Sequence, residues 1–458
     1  MVEKRVIVVG AGPAGIRAAE TLVAAGIRPV LIDEGRRDGG QIYRRQPDGF
    51  TRSYETLYGT EAARARAVHD TFEAIRDRID YRAETLAWNV SDGRLWTARD
   101  GEAEAIPYSA LIVCSGATDR LLPVPGWNRA GVFSLGGSQI ALKAQACSIG
   151  SKVVFMGSGP LLYLVAAQYV KAGANVAAVL DTSPFMKRVR AAPFMAVLPD
   201  LLFAGVGLMR TLKTAGVRIA TGITPVSIEG SDDTGVSGIR YTDGSGREQH
   251  MDCDAVAMGW HLRPETQLAD IARCDFAFDA PTRQWLPVTD DDGRATSDGI
   301  YLAGDGARVL GARCAEVTGR LAAMAALSDM GIAGDPAARQ SLLAEKARYR
   351  RFAQGLAIAF PWPHELAANV PDDTVVCRCE AVTAGTLRET VDIGGATETN
   401  RAKSFSRVGM GRCQGRYCGN ASAEIVAAMR REPVEAAGRL RTQAPVKPLS
   451  IATVRNEA

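Results

Sequence analysis

The chain has 458 residues, enough for two or three domains with sizeable cores. Hydrophobic residues make up 47% and charged residues 23%, which fits a globular protein and excludes a disordered or fibrous one. A formal charge of +3 is close to neutral for this length, so no nucleic-acid partner is expected.

Met1-Val-Glu-Lys-Arg5 runs straight into a strand, so no secretory leader is expected. The strand covers Arg5 to Val9, a helix follows from about Pro13 to Ala25, and a second strand, Pro29 to Ile32, ends at Asp33. The turn between strand and helix is Gly10-Ala11-Gly12-Pro13-Ala14-Gly15, a G-x-G-x-x-G sequence in a βαβ unit. Gly10 permits the tight turn, Gly12 lets a pyrophosphate approach the backbone, and Gly15 lets the helix pack close to the strand. The free N–H groups and dipole of the helix N-terminus favour an anion there. Asp33 is placed to accept ribose hydroxyls, with Glu34 as the fallback.

Gly39-Gly40-Gln41 comes next, and Arg36 to Arg82 reads as a charged, mostly helical connecting arm. Cys114-Ser115-Gly116-Ala117-Thr118, followed by Arg120, Pro123, Pro125 and Gly126, reads as a crossover between domains. The first pattern then recurs: strand Lys152 to Met156, turn Gly157-Ser158-Gly159-Pro160-Leu161-Leu162, helix Leu161 to Ala172, strand Asn175 to Leu180, and Asp181. Leu162 replaces the third glycine and is expected to push the helix away from the strand. Asp181 keeps the ribose-binding position, and no arginine directly follows it to take a 2′-phosphate. Two readings stay open for this second turn: an adenine-nucleotide site favouring NAD, or a scaffold that no longer binds one.

Phe194 to Met209 is apolar but interrupted by Pro199 and Asp200, too short to span a membrane. It reads first as core or subunit interface and second as a membrane-facing surface. Met258 to Pro264 reads as the closing strand of the second domain, with His261 structural. Thr296-Ser-Asp-Gly-Ile-Tyr-Leu-Ala-Gly304-Asp305 resembles the segment that, in FAD-binding two-dinucleotide folds, returns to the first domain and sets an aspartate beside the ribityl chain and pyrophosphate. With this and the preceding motifs, the first nucleotide reads as FAD.

Pro336 to Phe352 reads as a helix ended by Pro361-Trp362-Pro363. Of nine cysteines, Cys114, Cys147, Cys253, Cys274 and Cys314 are scattered and read as buried hydrophobes in a reducing cytoplasm. The other four form Cys377-Arg378-Cys379 and Cys413-Gln-Gly-Arg-Tyr-Cys418. Four thiolates suit a [2Fe–2S] cluster, two for each iron; structural zinc, which prefers C-x₂₋₄-C knuckles, is the minority alternative. Gly409, Gly411, Gly415 and Gly419 would let backbone N–H groups reach the sulfurs. C-x-x-C occurs nowhere and no cysteine pair follows Gly40, so dithiol chemistry of the disulfide-reductase kind is excluded. The tail after Pro433 has little periodicity and either wanders or lies on a partner.

These readings give an α/β protein with two doubly wound, Rossmann-like domains of the glutathione-reductase type and a small helical iron–sulfur module. The expected boundaries are 1–125 with 290–332 for the FAD domain and 126–289 for the second dinucleotide domain. A linker helix at 333–371, the iron–sulfur module at 372–432 and the tail at 433–458 complete the chain.

The motifs GAGPAG, VCSGATDRLLPVPG, GSGPLL, GIYLAGDGA, CRCE and GMGRCQGRYCG together resemble the A (alpha) subunits of bacterial opine oxidases, the octopine and nopaline dehydrogenases. They are also similar to the corresponding subunits of hydrogen cyanide synthase, D-hydroxyproline dehydrogenase and heteromeric amino-acid dehydrogenases. The last motif resembles the bacterioferritin-associated-ferredoxin type of [2Fe–2S] module. The resemblance implies an electron-relay subunit. Its partner would be an FAD-containing B (beta) subunit of the D-amino-acid-oxidase type, which oxidises the secondary amine. FMN at the subunit boundary, a small C (gamma) iron–sulfur subunit, and a quinone or dye as acceptor are further implications. No His–carboxylate pair or arginine clamp here marks an amine-substrate pocket, which agrees with a relay. The competing readings are an autonomous NAD(P)H-dependent reductase of a ferredoxin-type acceptor and a non-enzymatic redox sensor. A cytoplasmic location is expected, with peripheral attachment to the inner membrane as the alternative and no transmembrane segment.

Overall fold

The computed structural model describes residues 4–455. Two five-stranded parallel sheets organise most of them. In the first, the order is Ile300–Leu302, Ala110–Val113, Val6–Val9, Val30–Ile32, Asp80–Arg82, with Val8 opposite Leu31 on one side and Ile112 on the other. Val6–Val9 and Ala110–Val113 are buried throughout, which is why they read as unbroken apolar runs. Helices Pro13–Ala24 and Ala312–Asp329 cover one face and touch backbone to backbone: a Cβ on Gly319 would stand 2.0 Å from the Ala14 carbonyl oxygen.

The second sheet has the order Arg218–Thr221, Val176–Asp181, Val153–Ser158, Ala255–Trp260, Val132–Ser134. An antiparallel sheet of Thr224–Ser231, Gly235–Thr242 and Glu248–Asp252 accompanies it. Two short strands tie the halves of the molecule together: Ala117–Asp119 pairs antiparallel with Leu262–Pro264. The C-terminal region is a hairpin, Val375–Cys377 with Val382–Thr383, and three helices, Ala384–Asp392, Thr399–Ser406 and Gly419–Arg430. Leu387, Val408, Ile425 and Val426 form its own core, together with Cys377 and Cys418.

Four expectations change. Arg36 to Ser53 is irregular, broken by Gly39, Gly40, Pro47 and Gly49; only Tyr54–Tyr58 and Ala62–Ile75 are helical, and Asp80–Arg82 is a strand. The helix predicted to end at Phe352 runs as Pro336–Ala359, capped by the Asp335 carboxylate and stopped by Pro361. Cys147 is exposed, unlike the other four scattered cysteines. The tail lies on its own chain: Arg439 pairs with Asp270, Val446 N donates to Trp88 O, Lys447 pairs with Glu34, and Val454–Arg455 adds to the edge strand Glu102–Pro107.

Helices Phe185–Met195 and Pro199–Thr214 contain the apolar stretch read from the sequence. Their outer face is not core: Phe203 is 70% exposed and Met186 61%. No helix of the described residues is long and apolar enough to cross a membrane.

Candidate functional site

A cavity of about 2660 Å³ runs between the two sheets and the cysteine module. The first glycine turn forms one part of its wall, and that turn is built by steric necessity. Gly10 holds φ +103°, and a Cβ there would stand 2.3 Å from the Cys114 carbonyl oxygen; one on Gly15 would stand 1.7 Å from the Gly10 carbonyl oxygen. Gly12, by contrast, has only the Gly40 Cα at 3.7 Å, so its open side faces the cavity. Gly12 caps helix Pro13–Ala24 without a side-chain hydrogen bond, which leaves first-turn N–H groups free for an anion.

Asp33 stands half-buried at the end of Val30–Ile32 and lines the cavity. Its two oxygens accept from Ala11 N at 2.5 Å and Gly35 N at 2.6 Å, which fixes the carboxylate against the turn. Burial raises its pKa, and those two N–H groups oppose the rise. Glu34 is exposed on the rim, paired with Lys447 of the tail. Gly40, Gln41, Gly116, Gly304 and Asp305 also line the cavity, together with Pro13 and Ala14. The Asp305 Oδ1 accepts from Leu310 N at 2.8 Å and Gly311 N at 2.9 Å, which locks its carboxylate at the start of Ala312–Asp329. The residues predicted from separate motifs therefore share one surface. A glycine turn, a helix N-terminus and two fixed carboxylates fit a dinucleotide with a ribose and a pyrophosphate.

The second turn is different. Leu162 is fully buried beside Phe155 and Leu135. A side chain at the matching Gly15 position would collide with the turn, so this helix cannot repeat the first one's close approach. Asp181 is fully buried and already engaged. Its Oδ2 accepts from Tyr163 Oη at 2.8 Å and Arg188 Nη2 at 2.6 Å, and its Oδ1 from Ser183 N at 2.7 Å. The Arg188 guanidinium lies 5.1 Å from the Phe360 ring centre. His261 Nε2 donates to the Phe360 carbonyl at 2.7 Å, and burial pulls the His261 pKa down to about 4, so the ring is a neutral structural donor. The ribose position expected at Asp181 is thus filled by the chain's own side chains. Nothing local announced Arg188, which returns from the next helix.

The four clustered cysteines meet in space. Cys418 stands next to both Cys377 and Cys413, and Cys413 next to Cys379. The contact with Cys418 is the main cause that pulls Cys377 down to about 6, and Cys413 falls for the same reason. Gly411 is required at the loop, because a Cβ there would stand 2.2 Å from the Cys379 Cβ. The four thiols lie together, and this donor set fits a [2Fe–2S] cluster, which asks two thiolates for each iron.

Cys379 and Cys413, one from each pair, line the same cavity as Gly12, Asp33 and Gly116. Glu265, which sequence reasoning passed over, lines this cavity too. Its N–H donates to Gly116 O at 2.9 Å, and its carboxylate takes Arg416 Nε at 2.7 Å and Nη2 at 3.1 Å. A His–carboxylate contact does exist, His250 with Glu229, but it lies on the antiparallel sheet and does not line the cavity.

Residues 4–327 match the pyridine nucleotide-disulphide oxidoreductase family, and residues 375–428 match the BFD-like [2Fe-2S] binding domain. The opine oxidase A subunit of Agrobacterium tumefaciens (strain Ach5) is 37% identical, over 97% of this chain and 90% of that protein. The hydrogen cyanide synthase subunit HcnB of Pseudomonas protegens is 30% identical, over 97% and 96%. In fold, the crystal structure of L-proline dehydrogenase from P. horikoshii is similar with a TM-score of 0.70 at 19% identity, covering 98% of this chain and 80% of that one. With its two parallel sheets, its glycine turn and its four thiols, the chain belongs to the pyridine nucleotide-disulphide oxidoreductase family, among the opine oxidase A and HcnB subunits, and carries a BFD-like [2Fe-2S] domain at its C-terminal end.

Proposed function

We propose that this chain is the electron-transfer flavoprotein subunit of a heteromeric dehydrogenase acting on an opine or amino acid. FAD would be held by Gly10, Gly12, Pro13 and Ala14 at the pyrophosphate, with Gly15 bringing the helix close to the turn, and by Asp33, with Glu34 as the fallback, at the ribose. Gly40, Gln41, Gly116, Gly304 and Asp305 would line the rest. Cys377, Cys379, Cys413 and Cys418 would hold the [2Fe–2S] cluster. A bound flavin accepts electrons in pairs and the cluster passes them singly. The protein's own part is to fix both groups on one wall and to keep competing nucleotides out. The observation that carries the reading is that Cys379 and Cys413 line the same cavity as the first glycine turn.

The engagement of Asp181 by Arg188 and Tyr163 supports electron exit to a quinone or dye rather than NAD⁺. An adenine nucleotide at Gly157, Gly159 and Asp181 is therefore left out of the reading. The cavity exceeds the ~300–1,000 Å³ of a single small-ligand pocket, which leaves room for an FMN at its mouth. Phe185, Val189, Phe203 and Val206 line that mouth and are at least half exposed, which supports a partner protein docking there. The partner in this reading is an FAD-bearing B subunit of the D-amino-acid-oxidase type, with or without a small iron–sulfur C subunit.

Anaerobic photoreduction of the flavin in the isolated chain tests the reading, with the cluster followed by electron paramagnetic resonance. Cluster reduction that tracks flavin reduction is expected. A cluster that stays oxidised beside a fully reduced flavin would contradict it.

A further inference from the structure

The cysteine module contacts the rest of the chain through several polar clips, and one of them differs in kind. Arg283 holds Glu424 and Arg439 holds Asp270, and neither carboxylate touches the cavity's cofactor-binding loops. Arg416, three residues after Cys413, instead distributes its donors over three parts of the protein. Nε and Nη2 go to Glu265, while Nη1 goes to the Cys413 carbonyl at 3.2 Å and to Val446 O of the tail at 2.9 Å. This is the fork geometry that a guanidinium offers and an ammonium does not.

Glu265 is equally engaged on its other side. Its N–H donates to Gly116 O at 2.9 Å and its carbonyl accepts from Ser115 Oγ at 2.5 Å. Gly116 carries φ +73° and no atom would meet a Cβ within 4 Å, so this turn stands open to the cavity. One residue is therefore bonded by its backbone to the nucleotide-binding crossover and by its side chain to the cluster loop. Gln267 repeats the connection next door, with Nε2 donating to Gln414 O at 2.7 Å.

Buried ion pairs are weak sources of net stability, because desolvating both charges offsets most of their attraction. Glu265 and Arg416 have side chains only 13% and 8% exposed. Their geometry is better explained by placement and charge. Arg263, two residues before Glu265, adds a second cation that faces Cys413 and Cys418 and donates to the Arg416 carbonyl at 3.4 Å.

We propose that Glu265 and Arg416 form a clasp that positions the cluster loop against the nucleotide-binding crossover and sets the electrostatic environment of the cluster. This rests on the reading of the four cysteines as [2Fe–2S] ligands. Reduction adds a negative charge to an already anionic cluster, so nearby cations favour the reduced form and nearby anions oppose it. Removing either partner therefore shifts the midpoint potential, and the two shifts have opposite signs. A clasp that served only the fold would not produce that antisymmetry.

The test is a dye-mediated redox titration of the cluster in the full-length chain, read by electron paramagnetic resonance, with iron content measured alongside. Glu265→Gln should raise the midpoint potential, while Arg416→Gln and Arg263→Gln should lower it. Glu265→Asp should stay near wild type, and the double variant Glu265→Gln/Arg416→Gln should return toward wild type. Arg283→Gln, which opens a clip that touches neither the cluster loop nor the crossover, should shift the potential less than Arg416→Gln. Outer-shell changes of this kind also weaken retention of iron, by about 10–100-fold where a ligand loses its support. If Arg416→Gln sheds its cluster, Glu265→Gln and Arg263→Gln still read opposite signs. Shifts of the same sign, no shift, or an equal shift in Arg283→Gln would overturn the proposal. The titration needs no electron from the flavin, so a failed relay leaves it readable, and a wild-type chain without iron would indict the cysteine assignment instead.

Discussion

Arg188 lies across the buried carboxylate of Asp181, with Nη2 2.6 Å from Oδ2 and the guanidinium 4.9 Å from the Tyr163 ring centre. The contact places a cation where an active dinucleotide fold would present a free acid to a ribose. Arg188→Ala would leave Asp181 buried without its counter-charge, a change that costs ~3–5 kcal/mol when a buried pair is broken. Burial already raises the Asp181 pKa above 3.8 and Arg188 opposes the rise, so the variant raises it further. In the window above 3.8 the native state then holds a proton that the unfolded state has lost, and stability falls as pH rises. Denaturant unfolding should show a larger deficit at neutral pH than in acid. A deficit independent of pH would contradict the assignment of the charge to Asp181.

The first glycine turn separates a structural glycine from a binding one. A Cβ on Gly15 meets the Gly10 carbonyl oxygen at 1.7 Å, whereas one on Gly12 meets nothing closer than 3.7 Å. Gly15→Ala should therefore lower thermal stability, by at least the ~1–3 kcal/mol typical of overpacking. Gly12→Val should purify folded but without flavin. Full flavin occupancy in Gly12→Val would refute the pyrophosphate assignment.

Cys413→Ser should abolish the visible absorption of the cluster and its iron while leaving flavin content within about twofold, because Cys413 belongs to a module with its own core. Stoichiometric zinc without acid-labile sulfide in the anaerobically purified wild type would restore the zinc reading.

His261 gives a pH prediction of opposite slope. Burial depresses its pKa from 6.5 to about 4, so the folded state resists protonation. Its contribution is complete above 6.5 and is lost as pH falls from 6.5 toward 4, where the unfolded chain binds the extra proton. His261→Gln keeps a donor for the Phe360 carbonyl but does not titrate. Its melting temperature should fall less steeply than that of wild type across this window.

The parts of the site that are legible in the sequence are those whose chemistry sits in a short window. Gly10 to Gly15, Asp33 and the C-x-C and C-x₄-C pairs each encode a turn or a ligand pair locally. Asp305 is readable because it closely follows a strand that returns to the first sheet. The Glu265–Arg416 pair is not, since its partners are 151 residues apart and neither stands in a motif that needs the other. Arg188 escapes notice for a related reason: a sequence motif looks directly after Asp181, while the guanidinium arrives from the following helix. The tail carries no signal of its docking, because its contacts to Asp270, Trp88 and Glu34 are local polar bonds without periodicity.

Whether this chain relays electrons or takes them from substrate itself is decided by turnover. Octopine, nopaline, D-hydroxyproline and glycine are offered to the purified chain alone, and to the chain co-expressed with a flavin-bearing partner, with a dye as acceptor. A relay gives no substrate oxidation by the chain alone and dye reduction only by the complex. Robust turnover of any of these substrates by the single chain would overturn the relay and make this the catalytic subunit.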